Sequence, residues 1–313
     1  MPTAKKWRKK VFLFKIETTY GTDAVPTGAL NAILATGVKF EPMKGSDVNR
    51  DLDLPYLGNQ GTIPAELHAT FSGKVELATS GTAGTAPAWG PLLRACGVAQ
   101  TVSAGVSVTY NPITDNHESG SLYLYIDGTL YKALGVRGDG KFTVNAQGIP
   151  YFEFELTGLF TQPAESANPA ATLTAFQKPK VASKLNTPTF TINAVAMVMR
   201  TFEMTLGNKV EPRFLIPVEE ILITDRAEMI KTQVQADLLS VIDPFALALA
   251  QTDVAVNLVH GTVAGSILTL NAPAAQMQRP QGAEEAQGIK EWPLSLMPKP
   301  TGAGNNQWTL VLT

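Results

Sequence analysis

The chain has 313 residues, 44% of them hydrophobic and 17% charged, a globular composition longer than one hydrophobic core usually supports, so two domains of roughly 150 residues are the natural division. Its net charge of −2 hides an asymmetry: five Lys and Arg lie in the first ten residues, leaving 20 − 27 = −7 for the rest, which excludes a basic nucleic-acid-binding stripe along the body. A single cysteine, Cys96, excludes an intramolecular disulfide framework and any paired-cysteine metal site; it fits a reducing cytoplasm and reads as a small buried apolar residue.

The basic tip (Lys5, Lys6, Arg8, Lys9, Lys10) is followed by "VFLF", too short for a secretory signal and interrupted by Lys15. Phosphate, a protein neighbour or solvent are its alternatives, with a protein neighbour foremost. In "ELHATFSGKVEL" (66–77), Leu67, Ala69, Phe71, Val75 and Leu77 alternate with Glu66, His68, Thr70, Ser72, Lys74 and Glu76, the pattern of a half-buried strand. "PLLRACG" (91–97) opens with proline and predicts a short helix. "SLYLYIDG" (121–128) and "YFEFELTG" (151–158) alternate as strands, and "GVRGDGK" (135–141) between them is predicted to be a glycine-rich turn joining antiparallel hairpins. Residues 161–188, rich in Pro, Ala, Ser and Thr, read as a linker. "PFALALAQ" (244–251) predicts a second helix, and 272–288 a surface loop without counterpart in the first half. No stretch reaches the roughly 18 apolar residues of a membrane helix, so a soluble, unexported chain is expected.

Three blocks recur in order. "VNRDLDLPYLGN" (48–59) faces "VMRTFEMTLGN" (198–208), pairing Arg50 with Arg200, Leu57 with Leu206, Gly58 with Gly207 and Asn59 with Asn208. "IDGTL" (126–130) faces "VHGTV" (259–263), and "NAQGI" (145–149) faces "EAQGI" (285–289). The expectation is a duplicated domain: residues 1–165 with an N-terminal arm, a linker at 166–188, and a second copy at 189–313. Each copy is mostly sheet with one helix.

Signatures of catalysis are missing: the sequence holds no phosphate-binding glycine loop, nucleophile elbow or HExxH. His68, His117 and His260 are too scattered to ligate a metal together, so no cofactor or metal is expected. Asp51 and Asp53 share a face if they lie on a strand, but the facing block has Thr201 and Glu203, so a solvated acidic face is preferred over an acid/base pair. The Arg-Gly-Asp triplet at 137–139 is read as part of the predicted turn, not as an adhesion motif.

"ETTYGTDAVPT" (17–27), "RDLDLPYLGNQG" (50–61), "PLLRACGV" (91–98), "YNP" (110–112) and "YIDGTLYKALGVRG" (125–138) together resemble the major tail tube proteins of long-tailed, siphovirus-type bacteriophages. The resemblance covers most of the first half and weakens in the second. It implies a mainly β fold of two tandem sandwich or barrel domains, each with one short flanking helix, whose long hairpins join those of neighbours around a central β-barrel channel. It also implies a virion protein made in the bacterial host cytoplasm, with no catalytic residues. Its partners would be copies of itself, the tape measure protein, the tail terminator and distal tail proteins, and double-stranded DNA passing without sequence-specific binding.

A duplicated chain then predicts a trimer with pseudo-sixfold symmetry, since a tandem repeat covalently supplies half of the ring's heterologous contacts. Candidates for the lumen face are Asp51, Asp53, Glu66, His68, Lys74 and Glu76 in the first copy and Glu203, Gln233, Gln235 and Asp237 in the second; alternation leaves open whether that face points inward or outward. Arg50 and Arg200, with Leu57, Gly58, Asn59, Leu206, Gly207 and Asn208, are candidates for interdomain or intersubunit seams, with plain surface ion pairs as the alternative for the arginines. From another class, a β-sandwich adhesin or carbohydrate-binding module would expose Tyr123, Tyr125 and Tyr131 on one sheet face.

Overall fold

The computed structural model describes residues 4–313, so the first three residues of the expected N-terminal arm lie outside the described residues. Among the described residues strand makes up 51% and helix 4%, in two short helices, with no closed barrel. In the first half, strand Lys10–Ile16 precedes a long hairpin, Ala35–Asn49 with Thr62–Glu76, then helix Gly90–Arg94, the hairpin Val98–Ser103 with Ser107–Pro112, and strands Gly120–Ile126, Thr129–Asn145 and Tyr151–Phe160. In the second, Thr189–Ile192 precedes a bent hairpin that runs out along Met199–Thr205 and Asn208–Phe214 and returns along Glu219–Arg226 and Met229–Gln235. Helix Pro244–Ala250 and strands Asp253–His260, Leu268–Met277, Glu284–Ala286, Ile289–Pro298 and Thr309–Leu312 complete it.

Both halves lay their strands side by side in one order. In the first, 10–16 pairs with 120–126, which pairs with 129–145, then 151–160, 62–76 and 35–49. In the second, 189–192 pairs with 253–260, then 268–277, 289–298, 229–235 and 199–205. Two strand pairings join the halves. Residues Thr201–Thr205 pair with Asn145–Lys141, and Leu310–Leu312 lie between Tyr110–Val108 and Leu270–Leu268. An antiparallel run of eight strands therefore crosses the molecule, from 35–49 through 62–76, 151–160, 129–145, 199–205, 229–235 and 289–298 to 284–286.

Local chemistry explains these elements. Ala69, Phe71, Val75 and Leu77 are buried while Thr70, Ser72, Lys74 and Glu76 keep solvent contact, as their alternation predicts. Asp243 caps the second helix, its side chain accepting from the N–H groups of Phe245 and Ala246, and Gln251 ends it in the left-handed region at φ 54°.

The segment 135–141 is not a turn: it runs inside the strand Thr129–Asn145, and the reversal falls at Asp127-Gly128. Its glycines serve close approach. A Cβ at Gly138 would lie 2.4 Å from the carbonyl oxygen of Glu155, and one at Gly140 would lie 2.5 Å from the Phe152 ring. The predicted loop 272–288 is likewise shorter, because strands extend to Met277 and resume at Glu284.

Most buried apolar side chains of the two halves form one cluster, and Leu13, Ala32, Tyr123 and Tyr125 form a smaller one. Through its middle, Trp89 lies 6.4 Å from Phe152, Phe152 5.2 Å from Phe142, and Phe142 5.8 Å from Trp308 of the second half (ring centroids). Residues 166–188 form neither strand nor helix.

Candidate functional site

A strand with one face in the core turns its alternate residues outward, so the eight-strand run carries a continuous polar face. Lys74 and Glu76 stand beside Glu153 and Tyr151, and beyond them come Asp139, Lys141 and Thr143, then Glu203 and Thr205 of the second half. Lys141 is the hub: its Nζ lies 2.9 Å from Glu203 and 3.7 Å from Glu153, so one ammonium ties the halves together. The hydrogen bond with Glu203 raises the Lys141 pKa above its ordinary value. An open cleft of about 490 Å³ lies here, lined by Lys39, Lys74, Asp139, Lys141, Glu153 and Glu155 among others. Lys74 also sits 4.3 Å above the Tyr151 ring.

At the end of this face the second half's hairpin, 208–226, covers the first half. The Asn208 amide donates to the carbonyls of Cys96 at 2.7 Å and Gly138 at 3.0 Å, and its oxygen accepts from Arg226 Nε at 2.8 Å. Arg226 Nη2 donates to the carbonyl of Gly97 at 2.7 Å, where the first helix ends. In the other direction Arg137 donates to the carbonyl of Ile221 at 2.8 Å, and the Ile221 N–H donates to the Tyr20 hydroxyl at 2.6 Å. Burial pulls both guanidinium pKa values down, and the carbonyl acceptors stabilise the charged groups. Burial likewise pushes up the Asp139 carboxyl, which accepts the backbone N–H of Asn208 at 2.9 Å.

The sequence candidates divide among these places. Lys74, Glu76 and Glu203 lie on the polar face, and Gln233 and Gln235 continue it on strand 229–235. Glu66 takes φ 54° near a register shift of the long hairpin and accepts from the Ser46 hydroxyl, while the His68 ring lies 6.2 Å from that of Phe214 in the covering hairpin. Asp237 is exposed beyond its strand. Arg50, Asp51, Asp53, Leu57, Gly58 and Asn59 sit on the exposed tip of the long hairpin, outside any strand, so the two aspartates do not share a strand face.

Leu206, Gly207 and Asn208 sit instead at the junction: Leu206 and Asn208 are buried, and a Cβ on Gly207 would strike the carbonyl of Ala227 at 2.0 Å. The first pair of matched blocks thus occupies different places, a tip in one half and a bend in the other. Arg200 binds Glu291 in its own half, at 2.7 and 2.9 Å, rather than crossing the junction, and these bonds hold the Glu291 carboxyl below its usual range. Tyr123 and Tyr125 are buried, and the Tyr123 hydroxyl donates to Asp23, so neither presents an aromatic face to a sugar.

Lys141, Asp139, Arg137 and Arg226 carry the junction and were not among the candidates. Three of them lie in the stretch misread as a turn. Among the described residues no His, Cys, Asp and Glu cluster fit to hold a metal occurs, and no helix is long and apolar enough to cross a membrane.

The family model described as phage tail tube protein matches residues 7–296. No curated protein matches the chain.

Proposed function

Since the chain belongs to the phage tail tube protein family and is thus a structural component of the virion tail that assembles with copies of itself, we propose that three chains close each ring. The observation that carries this reading is the shared strand order of the two halves together with the seam between them. We read residues 1–165 and 189–313 as tandem copies of one tube domain joined by 166–188. Each copy offers one open strand edge and one acceptor edge, and within the chain one such pair is already made. Three chains then supply six quasi-equivalent positions, and the eight-strand runs join into a barrel that no single chain forms.

In this reading the polar face lines the lumen. Asp139, Glu153, Glu155 and Glu203 crowd around Lys141, and a wall without a surplus of Lys and Arg releases few counterions from DNA, so the polyanion slides instead of sticking. The tape measure protein would occupy the lumen before ejection, and the terminator and distal tail proteins would close the ends. The chain would be made in the host cytoplasm and would carry out no catalysis.

Mass per unit length of assembled tubes in electron micrographs tests the ring. About three chains per ring is expected. Six would remove the trimer and make the second half something other than a ring position, and a chain that yields only stable monomer would remove the tube.

A further inference from the structure

Three backbone hydrogen bonds seat a turn of the first half, one on Arg200 of the second half and two on Ala182 of the segment that precedes it. Ala146 N–H donates to the carbonyl of Arg200 at 2.8 Å, Gln147 N–H to Ala182 at 2.7 Å, and Ala182 N–H to Gly148 at 2.8 Å. The second half repeats the letters of that turn, Ala286-Gln287-Gly288-Ile289 against Ala146-Gln147-Gly148-Ile149, with the glutamine left-handed in both at φ 57° and 61°. The second turn projects into solvent, with Glu284, Glu285, Gln287 and Gly288 all exposed.

What should sit on it follows from the register. Gln235 pairs with Glu291 and Lys231 with Glu203; Glu76 pairs with Tyr151 and Ser72 with Lys39. Since 235 − 231 and 76 − 72 are both 4, and residues 151 and 291 each lie three past the glycine of the repeated turn, Lys39 holds the place of Glu203. Strand 35–49 pairs only with 62–76 among the described residues, so no other strand pairs with it around Lys39, where the Val38 carbonyl accepts from Lys10 Nζ at 3.2 Å. It borders a groove of about 720 Å³ whose walls include Trp7, Arg8, Lys10, Leu34, Gly37 and Lys39. The groove is basic; the unseated turn is acidic.

We propose that the acidic turn Glu284–Gly288 of one chain seats in this basic groove of the next, so that the ring contact repeats the contact already made inside each chain. The inference rests on the ring reading above and names its residues. Thr143 pairs with both Tyr151 and Glu203, and Glu284 pairs with Glu291, so Glu284 takes the place of Thr143 and falls opposite Lys39 of the neighbour. A Lys39–Glu284 ion pair at the ring seam then occupies the position of the facing Glu203 and Thr143 inside the chain, two residues along the strand from Lys141, the partner of Glu203 there.

The helix ends point the same way. The end of the first helix, Ala95 and Cys96, is fully buried beside Asn208 and Arg226 of the covering hairpin, whereas on the second helix Phe245 and Leu249 are 44% and 87% exposed. The outer part of the long hairpin, with Met43, Val48 and Ile63 each more than half exposed, is the element that a neighbour would lay over that second helix.

The test joins Lys39→Cys and Glu284→Cys in one chain, assembles tubes, treats them with a short bismaleimide and resolves the products on a denaturing gel. Covalent multimers that stop at the number of chains per ring are expected from the double variant and from neither single variant, with buried Cys96 present in all three. Tubes that form and yield no multimer overturn this seat while leaving the ring reading intact; wild-type chain that forms no tube removes the ring reading itself.

Charge reversal gives a second readout. Glu284→Lys with Glu285→Lys should leave a folded monomer whose assembly is weakened about tenfold or more, the equivalent of ~1.4 kcal/mol, and adding Arg8→Glu and Lys39→Glu should restore it. Undiminished assembly of the reversed turn, or no recovery in the fourfold variant, overturns the proposal.

Discussion

Replacing Asn208 by alanine removes three hydrogen bonds at once from a residue only 8% exposed: two donated to the carbonyls of Cys96 and Gly138, and one accepted from Arg226. A neutral hydrogen bond contributes about 1 kcal/mol net and one to a charged group about 1.5–3, so the loss should be roughly 3.5–5 kcal/mol, a large part of the 5–15 kcal/mol that holds most domains folded. Asn208→Asp separates the contributions. It keeps the acceptor for Arg226, loses both donors and sets a second carboxylate beside Asp139, so it should still lose about 2 kcal/mol or more.

The assay is urea unfolding of unassembled chain followed by tryptophan fluorescence, since Trp89, Trp292 and Trp308 are all buried. Limited proteolysis within 166–188 would report whether the halves separate first. An Asn208→Ala chain within about 1 kcal/mol of the parent, or an Asn208→Asp chain as stable as the parent, would refute the view that this amide fastens the halves.

Gly140→Ala places a Cβ 2.5 Å from the Phe152 ring and 2.8 Å from the carbonyl oxygen of Glu153, so a loss of about 2 kcal/mol or more is expected by urea unfolding; an unchanged midpoint would show that the strands part easily. Burial raises the Glu228 pKa above its ordinary 4.5, and its Oε1 has no hydrogen-bond partner. The folded state therefore binds more protons than the unfolded one between 4.5 and the raised value, and stability falls as pH rises through that interval. Glu228→Gln should gain roughly 1 kcal/mol at neutral pH and nothing near pH 4; equal gains at both would exclude ionisation as the cause. Glu76→Lys combined with Glu155→Lys should leave tubes that assemble but release DNA more slowly, and an unchanged release rate would take these residues off the lumen.

What the sequence revealed most clearly was alternation. The strand at 66–77 has its predicted faces because burial of Ala69, Phe71, Val75 and Leu77 follows directly from a period of two, and both helices carry their proline in the first turn. Glycine misled for a physical reason: Gly138 and Gly140 sit in extended backbone, where their use is room for Leu156 and Phe152, 18 and 12 residues away, contacts that no local pattern reports.

The matched "LGN" letters were equally local. The register instead sets Lys39 level with Glu203, two residues with no chemical likeness, because cross-strand partners and not letters define position in a sheet. The junction residues Arg137, Asp139 and Arg226 were illegible for a related reason: each is half-buried by a segment from the other half, and cover from afar leaves no periodicity.

The strand Thr309–Leu312 has a consequence for timing. Pairing Leu310 with Tyr110 closes a loop of 310 − 110 = 200 residues, and such long-range closure is among the slowest events in folding. On the ribosome these residues emerge after both segments that they bridge, so the outer seam stays unzipped throughout synthesis of the rest. A chain still in synthesis can therefore hold the pairing of 201–205 with 141–145 while the pairing of 310–312 with 108–110 is still open.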